Sequence, residues 1–345
     1  MRSPATRMTH WFGAIICALA LLASGSLIGW STPASAADKA TLRLEWRLTG
    51  YHTPYWYAKE KGYYKDEGID LHIRWGDGSG KAAASVAAGN EAFGQADGMI
   101  LAAGISRGMP LKAIFSVTQK ATWVIVSYKD NPVNKPQDLI GKTMSTIPSH
   151  KQILHLFFKI NNIPVDKVKL QLVGGRVRNT LFRTQKVHAT MGIYDGRTLD
   201  FKFLAEAGKV KPVTFLRLNE HGWDTLGQMI MTNDNMIKNN PSLVRRFVKA
   251  SIRGWKEAMK PGNIDEAVSI AIKNSPNETQ KLPGVRAQFK GSLDTLRTKR
   301  TKGKPHGWMA AGDWEKTLEA MKISKNVKKV LPVSSYYTND FIPSN

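Results

Sequence analysis

Aromatic and polar side chains follow the first two predicted strands. The loop after the first strand carries a tryptophan, a histidine and a tyrosine, and the loop after the second carries a serine within the glycine-rich stretch GDGSG. Aromatic rings pack against planar ligands, and unpaired amides at a helix N-terminus favour an anion. These two loops predict a small-molecule site that includes Trp46, His52, Tyr55, Ser79 and Gly80.

A strand, helix, strand, helix order positions these loops. Residues 41–46 and 69–75 alternate apolar and polar residues as strands do, Pro54 opens the intervening helix, and Gly62 ends it. In open α/β sheets, ligands bind beyond the carboxyl ends of the strands. The glycine-rich stretch is not a Walker loop, because Lys81 is followed by alanine.

Strand and helix patterns continue to alternate along the chain, which favours the α/β class. A polar, proline-containing segment at 129–137 predicts a crossing to a second lobe, and a strand starting at Gln228 predicts the return. We therefore expect two lobes with a cleft between them. The expected boundaries are 37–128 and 228–345 for the first lobe and 129–227 for the second.

The N-terminal 36 residues are typical of a secretory signal. Two arginines precede an apolar run that ends in a small-x-small pattern, which predicts cleavage after Ala36 and export to the periplasm. The one cysteine, Cys17, lies inside this segment. After cleavage the chain would contain no thiol, no disulfide and no thiolate metal site.

The chain is strongly basic, with 50 Lys and Arg against 27 Asp and Glu. Removing Arg2 and Arg7 with the signal lowers the formal net charge of +23 by two. Such a charge attracts anionic solutes, lipids or nucleic acids. The basic residues are spread along the chain without a nucleic-acid-binding module, so we expect no nucleic-acid partner.

Several blocks resemble the exported solute-binding proteins for nitrate, sulfonates, taurine and thiamine-pyrimidine precursors. The strongest is YAKEKGYYKDEGID, followed by DLIGKT, PSLVRRFV and the near-terminal YTNDFIP. The resemblance covers nearly all of the chain after the signal. It implies a type II periplasmic binding protein fold, two α/β lobes with mixed sheets joined by two crossings, and an ABC importer permease and ATPase as partners of a monomeric receptor.

The resemblance also implies site residues, in the strand-end loops of both lobes. One departure from the family pattern is His188, where many members carry an acid in a block that here reads KVHA. Arg176, in a glycine loop at 174–178, offers bidentate contacts to an anion. The implied positions are Trp46, His52, Ser79, Gly80, Asp97, Ser145, Thr146 and Asp195.

The sequence leaves two classes of ligand open, an anion and a planar heterocycle. The basic charge and the helix N-termini favour an anionic sulfonate, nitrate or carboxylate, whereas the aromatic loop fits a planar pyrimidine equally well. Related pyrimidine synthases need a cysteine-rich block with iron, which cannot exist here, and no HExxH or GxSxG motif follows the signal. We therefore expect a binding protein without catalytic residues, metal or cofactor. A periplasmic sensor with the same fold is the alternative role.

Overall fold

Two five-stranded mixed sheets organise the chain in the computed structural model, which describes residues 36–275, 282–324 and 329–344. The predicted signal peptide lies outside these ranges except for its last residue. The strands are β1 (Asp38–Arg43), β2 (Ile69–Arg74), β3 (Phe93–Asp97), β4 (Leu111–Ser116), β5 (Trp123–Tyr128), β6 (Thr143–Thr146), β7 (Lys169–Leu172), β8 (Ala189–Ile193), β9 (Val213–Arg217) and β10 (Gln228–Asn233).

The two sheets share one topology. The first has the order β2-β1-β3-β10-β4, and the second has the order β7-β6-β8-β5-β9. In each sheet the first three strands are parallel, and the fourth, β10 or β5, is antiparallel to both of its neighbours. Helices flank both sheets, which confirms the predicted α/β class.

The first crossing lies earlier than the sequence predicts. The strand Trp123–Tyr128 was expected to end the first lobe, but it pairs with β8 and β9 in the second sheet. The prediction is wrong for this strand because its burial on both faces fits either sheet, and only its long-range pairing decides between them. The chain therefore crosses between Val117 and Thr122, ahead of the polar segment at 129–137, and it returns before β10.

Twelve α-helices are described. The sequence missed the helices at 63–66, 200–206, 234–239 and 282–293, and the glycine loop predicted at 174–178 is mostly the first turn of the helix at 175–183. The helices are α1 (Thr53–Glu60), α2 (Tyr63–Asp66), α3 (Ser79–Ala87), α4 (Gly98–Ser106), α5 (Lys151–Ile160), α6 (Gly175–Arg183), α7 (Asp200–Glu206), α8 (Asp234–Asn239), α9 (Pro241–Ala258), α10 (Ile264–Lys273), α11 (Leu282–Leu293) and α12 (Ala311–Ser324).

Helix α9 anchors one face of the first sheet. Its buried residues Val244, Phe247, Val248 and Trp255 recur at helical spacing and form one apolar stripe. The Phe247 ring stacks on Phe93 of β3, with 3.8 Å between ring centroids and 9° between ring planes. Fully burying a side chain of this size stabilises the fold by about 1.5–3 kcal/mol. This packing holds β3 and the residues at its carboxyl end in place.

A second core joins the inner layers of both sheets. It includes Met229 of β10, Met191 of β8 and Trp314 of α12, all essentially fully buried. Shared apolar packing therefore connects the two sheets, in addition to the two crossings. Across the described ranges, no helix combines the length and apolarity that a bilayer span requires.

Candidate functional site

A buried carboxylate follows β1, and both of its oxygens are engaged. Tyr51 Oη donates to Glu45 Oε1 at 2.8 Å, and His52 Nε2 lies 2.9 Å from Glu45 Oε2. The backbone N–H of Thr49 donates to His52 Nδ1 at 3.2 Å, so the ring hydrogen lies on Nε2. His52 therefore donates to Glu45 from Nε2, and the two oxygens of Glu45 have separate partners.

Two glycines and a proline determine the path of the chain around Glu45. Pro54 lies in the first turn of α1, where no backbone N–H is needed. A Cβ on Gly50 would lie 2.1 Å from the Phe289 backbone nitrogen, and a Cβ on Gly76 would lie 2.0 Å from the Leu44 carbonyl oxygen. Only glycine allows these approaches, so the loops after β1 and β2 are tightly fixed.

A second buried carboxyl, Asp97, lies at the carboxyl end of β3. Its Oδ1 caps α4 by accepting from the backbone N–H groups of Met99 at 3.0 Å and Ile100 at 3.3 Å. Its own backbone N–H donates to Ser79 Oγ at 3.1 Å. Burial raises the pKa of Asp97 to about 7, although these backbone hydrogen bonds oppose the rise. Near neutral pH this carboxyl can therefore either accept or donate a hydrogen bond.

The third carboxyl, Asp195, comes from the second lobe. It follows β8, and its Oδ1 accepts from Thr122 Oγ1 at 2.5 Å. Its Oδ2 is buried without a partner among the described residues. Burial raises the pKa of Asp195 to about 6, the hydrogen bond from Thr122 opposes the rise, and the charge of Glu45 adds to it.

Contacts between the lobes bring these groups together. Burial raises the pKa of the Tyr51 phenol, and Glu45 from one lobe and Asp195 from the other both add to the rise. A Cβ on Gly196 would lie 3.8 Å from Thr49 Cγ2, in ordinary van der Waals contact. The carboxyl ends of the two sheets therefore face each other across a narrow polar space.

The second lobe supplies the other wall of this space. Trp123 is buried at the start of β5, and it packs edge-on against His150 with ring centroids 4.7 Å apart. The Trp123 side chain also faces Asp97 and opposes the rise in its pKa. Burial and the nearby Arg178 charge lower the pKa of His150 to about 3, so this imidazole is neutral. His150 Nδ1 is buried and unpartnered among the described residues.

Arg178 is a cation close to His150 on this wall. Its Nη1 donates to the Met191 carbonyl oxygen at 2.8 Å, and its Nε donates to Asn179 Oδ1 at 3.0 Å. Burial lowers its pKa to about 10. Two of its donors are therefore committed to the protein.

The adjacent residues Ser145 and Thr146 at the end of β6 differ in their environment. Ser145 Oγ donates to the Thr190 hydroxyl and the Arg178 carbonyl oxygen, at 3.2 Å each. Thr146 is fully buried, and its Oγ1 has no partner in the described part of the chain. Of this pair, Thr146 is the one with a side chain available to a ligand.

The structure gathers some of the sequence-predicted residues and separates others. His52, Asp97, Thr146 and Asp195 lie at the facing strand ends, Ser79 is held against Asp97, and Trp46 is half-buried in the loop after β1. Other predicted positions lie apart from this cluster. They are Tyr55, which packs edge-on against Trp255 in the first-lobe core, Gly80, exposed in α3, Arg176, exposed on α6, and His188, exposed at the opposite edge of the second sheet.

Arg176 and Arg178 diverge because both are helical. The sequence placed them in a loop, but α6 begins at Gly175, and residues two apart on a helix point in different directions. Arg178 therefore turns toward β8, while Arg176 faces solvent.

Other residues of the cluster were not among the predicted site positions. Glu45 lies two residues after β1, but the sequence placed it inside the strand predicted at 41–46. Trp123 was hidden by the misplaced crossing. The missed members are Glu45, Trp123 and His150.

A separate groove of about 450 Å³ lies at the opposite end of the first sheet, near the amino ends of β1, β2 and β3. Its lining includes Lys39, Asp70, His72 and the buried Glu91. Glu91 Oε1 is held by Arg43 at 2.6 Å and 2.9 Å. None of the predicted site residues lines this groove. The described residues contain no group of three or more histidine, cysteine or acidic side chains arranged to hold a metal ion.

The fold is that of periplasmic binding proteins. The sulfonate-binding protein SsuA of Escherichia coli superposes with a TM-score of 0.65 at 11% identity, covering 86% of this chain and 91% of that one. The nitrate-binding protein NrtA of Synechocystis gives a TM-score of 0.62 at 12% identity, covering 88% and 87%. The predicted two-lobed fold is therefore confirmed.

Within this class, the chain belongs to the NMT1/THI5-like family, whose model matches residues 49–263. The riboflavin-binding protein RibY of Chloroflexus aurantiacus is 24% identical, covering 89% of this chain and 86% of RibY. A 4-amino-5-hydroxymethyl-2-methylpyrimidine phosphate synthase of Legionella pneumophila is 23% identical, covering 90% and 94%. The formylaminopyrimidine-binding protein of Halalkalibacterium halodurans is 21% identical, covering 82% and 84%. The family thus contains both binding proteins and synthases.

Proposed function

We propose that this protein is an extracytoplasmic solute receptor for an ABC importer, and that it binds a neutral or weakly basic nitrogen heterocycle of the aminopyrimidine type between its lobes. The proposal rests chiefly on one observation: the buried carboxyls of Glu45, Asp97 and Asp195 converge at the facing ends of the two sheets. The ligand is bound and released unchanged.

Electrostatics favour a heterocycle over an anion. An anion in this space would meet three buried acids, while the nearby Arg178 has already committed two of its donors to the protein. Charges interact strongly in such a desolvated site. The sulfonate, nitrate and carboxylate ligands expected from the net charge therefore have less support than the pyrimidine alternative.

The hydrogen-bonding groups match an aminopyrimidine edge. Such an edge presents a ring nitrogen that accepts and an amino group that donates. A carboxyl whose pKa is raised toward neutrality, as in Asp97 and Asp195, can complement both. The buried Trp123 and Tyr51 rings provide flat surfaces beside these carboxyls. The riboflavin-binding and formylaminopyrimidine-binding relatives also carry nitrogen heterocycles in their names, which agrees with this class.

A binding role is preferred to synthase activity because of the cysteine content. The resemblance implies that the pyrimidine synthases need a cysteine-rich block, and this chain has one cysteine, Cys17, inside the predicted signal. The same signal supports export to the periplasm. A receptor there would act as a monomer that closes on its ligand and meets an importer permease coupled to an ATPase.

A thermal-shift screen of the purified protein tests this function. The panel contains aminopyrimidines, riboflavin, taurine, alkyl sulfonates and nitrate, after unfolding and refolding to remove any bound solute. A ligand at about a hundred times its Kd stabilises the native state by about 2.7 kcal/mol. We expect a shift from the heterocycles alone. Shifts from sulfonates or nitrate, with none from heterocycles, would refute the proposed ligand class.

A further inference from the structure

A buried amide lies beside the carboxyl cluster in the first sheet. Gln95 sits in the middle of β3, two residues before Asp97, and has no exposed surface. Neither its Nε2 nor its Oε1 has a hydrogen-bond partner among the described residues. Buried amides are almost always paired, because an unpaired one has lost its hydration without compensation. Gln95 therefore requires a partner that the described chain does not supply.

A second amide lies on the same face of the sheet. In the pairing of β10 with β3, Gln228 is opposite Asp97, and Ile230 is opposite Gln95. Alternate residues of a strand share a face, so Gln95, Asp97 and Gln228 all project to one side. Gln228 Oε1 is also buried without a partner in the described ranges. The two amides thus adjoin the carboxyl that we place at the ligand.

The chemistry of these amides selects an uncharged group. Together they present one unpartnered donor and two unpartnered acceptors, with no formal charge. The apolar Ile230 lies directly opposite Gln95, and a second anion would be repelled by Asp97 when Asp97 is ionised. A hydroxyl can accept from Gln95 Nε2 and donate its one hydrogen to Gln228 Oε1, so it can bridge the two amides.

We infer that Gln95 and Gln228 form an uncharged subsite that receives a hydroxyl-bearing substituent of the bound heterocycle. This inference rests on the proposed function and adds a selectivity to it. The carboxyls bind the heterocycle edge, and the amides distinguish a hydroxyalkyl group on the ring from a plain alkyl group. A water molecule trapped by the same amides is the competing explanation, and it would confer no such selectivity.

The test compares two probes that differ by one hydroxyl. Calorimetric titration of the wild-type protein with 4-amino-5-hydroxymethyl-2-methylpyrimidine and with 4-amino-2,5-dimethylpyrimidine gives the ratio of their Kd values. We expect the hydroxymethyl compound to bind at least tenfold more tightly. Equal Kd values would overturn the subsite, because the amides would then be satisfied without the ligand.

Variants assign the selectivity to the amides. Gln95→Leu should bring the ratio close to one, and Gln228→Leu should reduce the ratio in the same direction. Gln171→Leu, on the exposed strand β7, is the matched control and should keep the wild-type ratio. A wild-type ratio that persists in both Gln95→Leu and Gln228→Leu would assign the selectivity elsewhere and overturn the inference.

The two proposals fail in different ways. If neither pyrimidine binds the wild-type protein, the proposed function fails, and the subsite fails with it. If the dimethyl compound binds and the hydroxyl gives no advantage, the function stands and the subsite alone fails. The wild-type ratio decides this without relying on any variant.

Discussion

Thr122 Oγ1 donates to Asp195 Oδ1 at 2.5 Å, which ties the first crossing to the carboxyl end of β8. The other oxygen, Asp195 Oδ2, is buried and unpartnered among the described residues. Glu45 differs, because Tyr51 and His52 engage both of its oxygens. Asp195 therefore has an oxygen available to a ligand, whereas both oxygens of Glu45 are engaged within the protein.

The first prediction concerns Asp195. Asp195→Asn keeps the shape and the Thr122 contact but replaces a carboxyl oxygen with an N–H donor. We expect aminopyrimidine affinity to fall more than tenfold, about 1.4 kcal/mol, by calorimetric titration. Asp166→Asn, at an exposed position, is the control and should bind as wild type does. Unchanged affinity in Asp195→Asn would remove this residue from the site.

The second prediction is that Asp97 contributes less to stability as pH rises. Burial raises the pKa of Asp97 to about 7, so the folded protein binds a proton that the unfolded chain has already released above about pH 4. The contribution of Asp97 to the unfolding free energy should therefore fall by about 3 kcal/mol between about pH 4 and pH 7. Urea unfolding of the wild type and of Asp97→Asn, which preserves the helix cap, isolates this contribution as the difference between the two proteins. A difference that does not change with pH would contradict the assignment.

The third prediction is that His306 lowers stability in acid. Burial lowers the pKa of His306 to about 3, and this ring packs against Phe115 and Trp255. As pH drops below about 6.5, the unfolded chain binds a proton that the folded protein excludes, so the contribution of His306 to the unfolding free energy should fall by about 3 kcal/mol by pH 4. The difference in unfolding free energy between the wild type and His306→Gln should fall by this amount in the same urea experiment. A difference that does not change with pH would rule out His306 as its source.

The fourth prediction concerns the crossings. A Cβ on Gly227, in the second crossing, would lie 2.3 Å from Thr118 Oγ1 and 2.7 Å from the Lys120 carbonyl oxygen, both in the first crossing. Gly227→Ala should destabilise the protein by about 1–3 kcal/mol by forcing the two segments apart. Gly262→Ala is the control, because a Cβ there meets nothing within 4 Å. Equal stability of the two variants would show that the crossings can separate freely.

The fifth prediction separates the two arginines of α6. Arg178→Met leaves the buried Met191 carbonyl oxygen without this donor, so unfolding free energy should fall by about 1–3 kcal/mol. Arg176 is exposed, and Arg176→Met should change stability by less than about 0.5 kcal/mol. Arg176→Met should also leave ligand affinity unchanged. Weakened binding in that variant would revive the anion recognition expected of Arg176 from the sequence.

Much of the fold could be predicted because local patterns and long-range packing agree. The alternation in β2 and the apolar stripe of α9 describe surfaces that are buried as expected. The helix α11 was missed because Gly284 and Gly291 lower its helix propensity, although Pro283 is compatible with a first turn. Its buried residues Val285 and Phe289 pack in the first-lobe core and outweigh that local preference.

The site was less predictable, because its chemistry arises from convergence. His52, Asp97 and Asp195 could be placed at strand ends from the sequence alone. The burial of Glu45 depends on Tyr51 and His52, and the role of Trp123 depends on which sheet its strand joins. The basic net charge indicated an anionic ligand, whereas the proposed heterocycle follows from the local field of the buried acids, which the net charge of the whole surface does not describe.

The most direct test of the central claim is a pair of calorimetric titrations of the purified, refolded protein at pH 7. One uses 4-amino-2,5-dimethylpyrimidine, and the other uses taurine at the same concentrations. We predict saturable binding of the pyrimidine to one site per chain and no heat of binding from taurine. Saturable taurine binding with none by the pyrimidine would contradict a heterocycle site built on Glu45, Asp97 and Asp195.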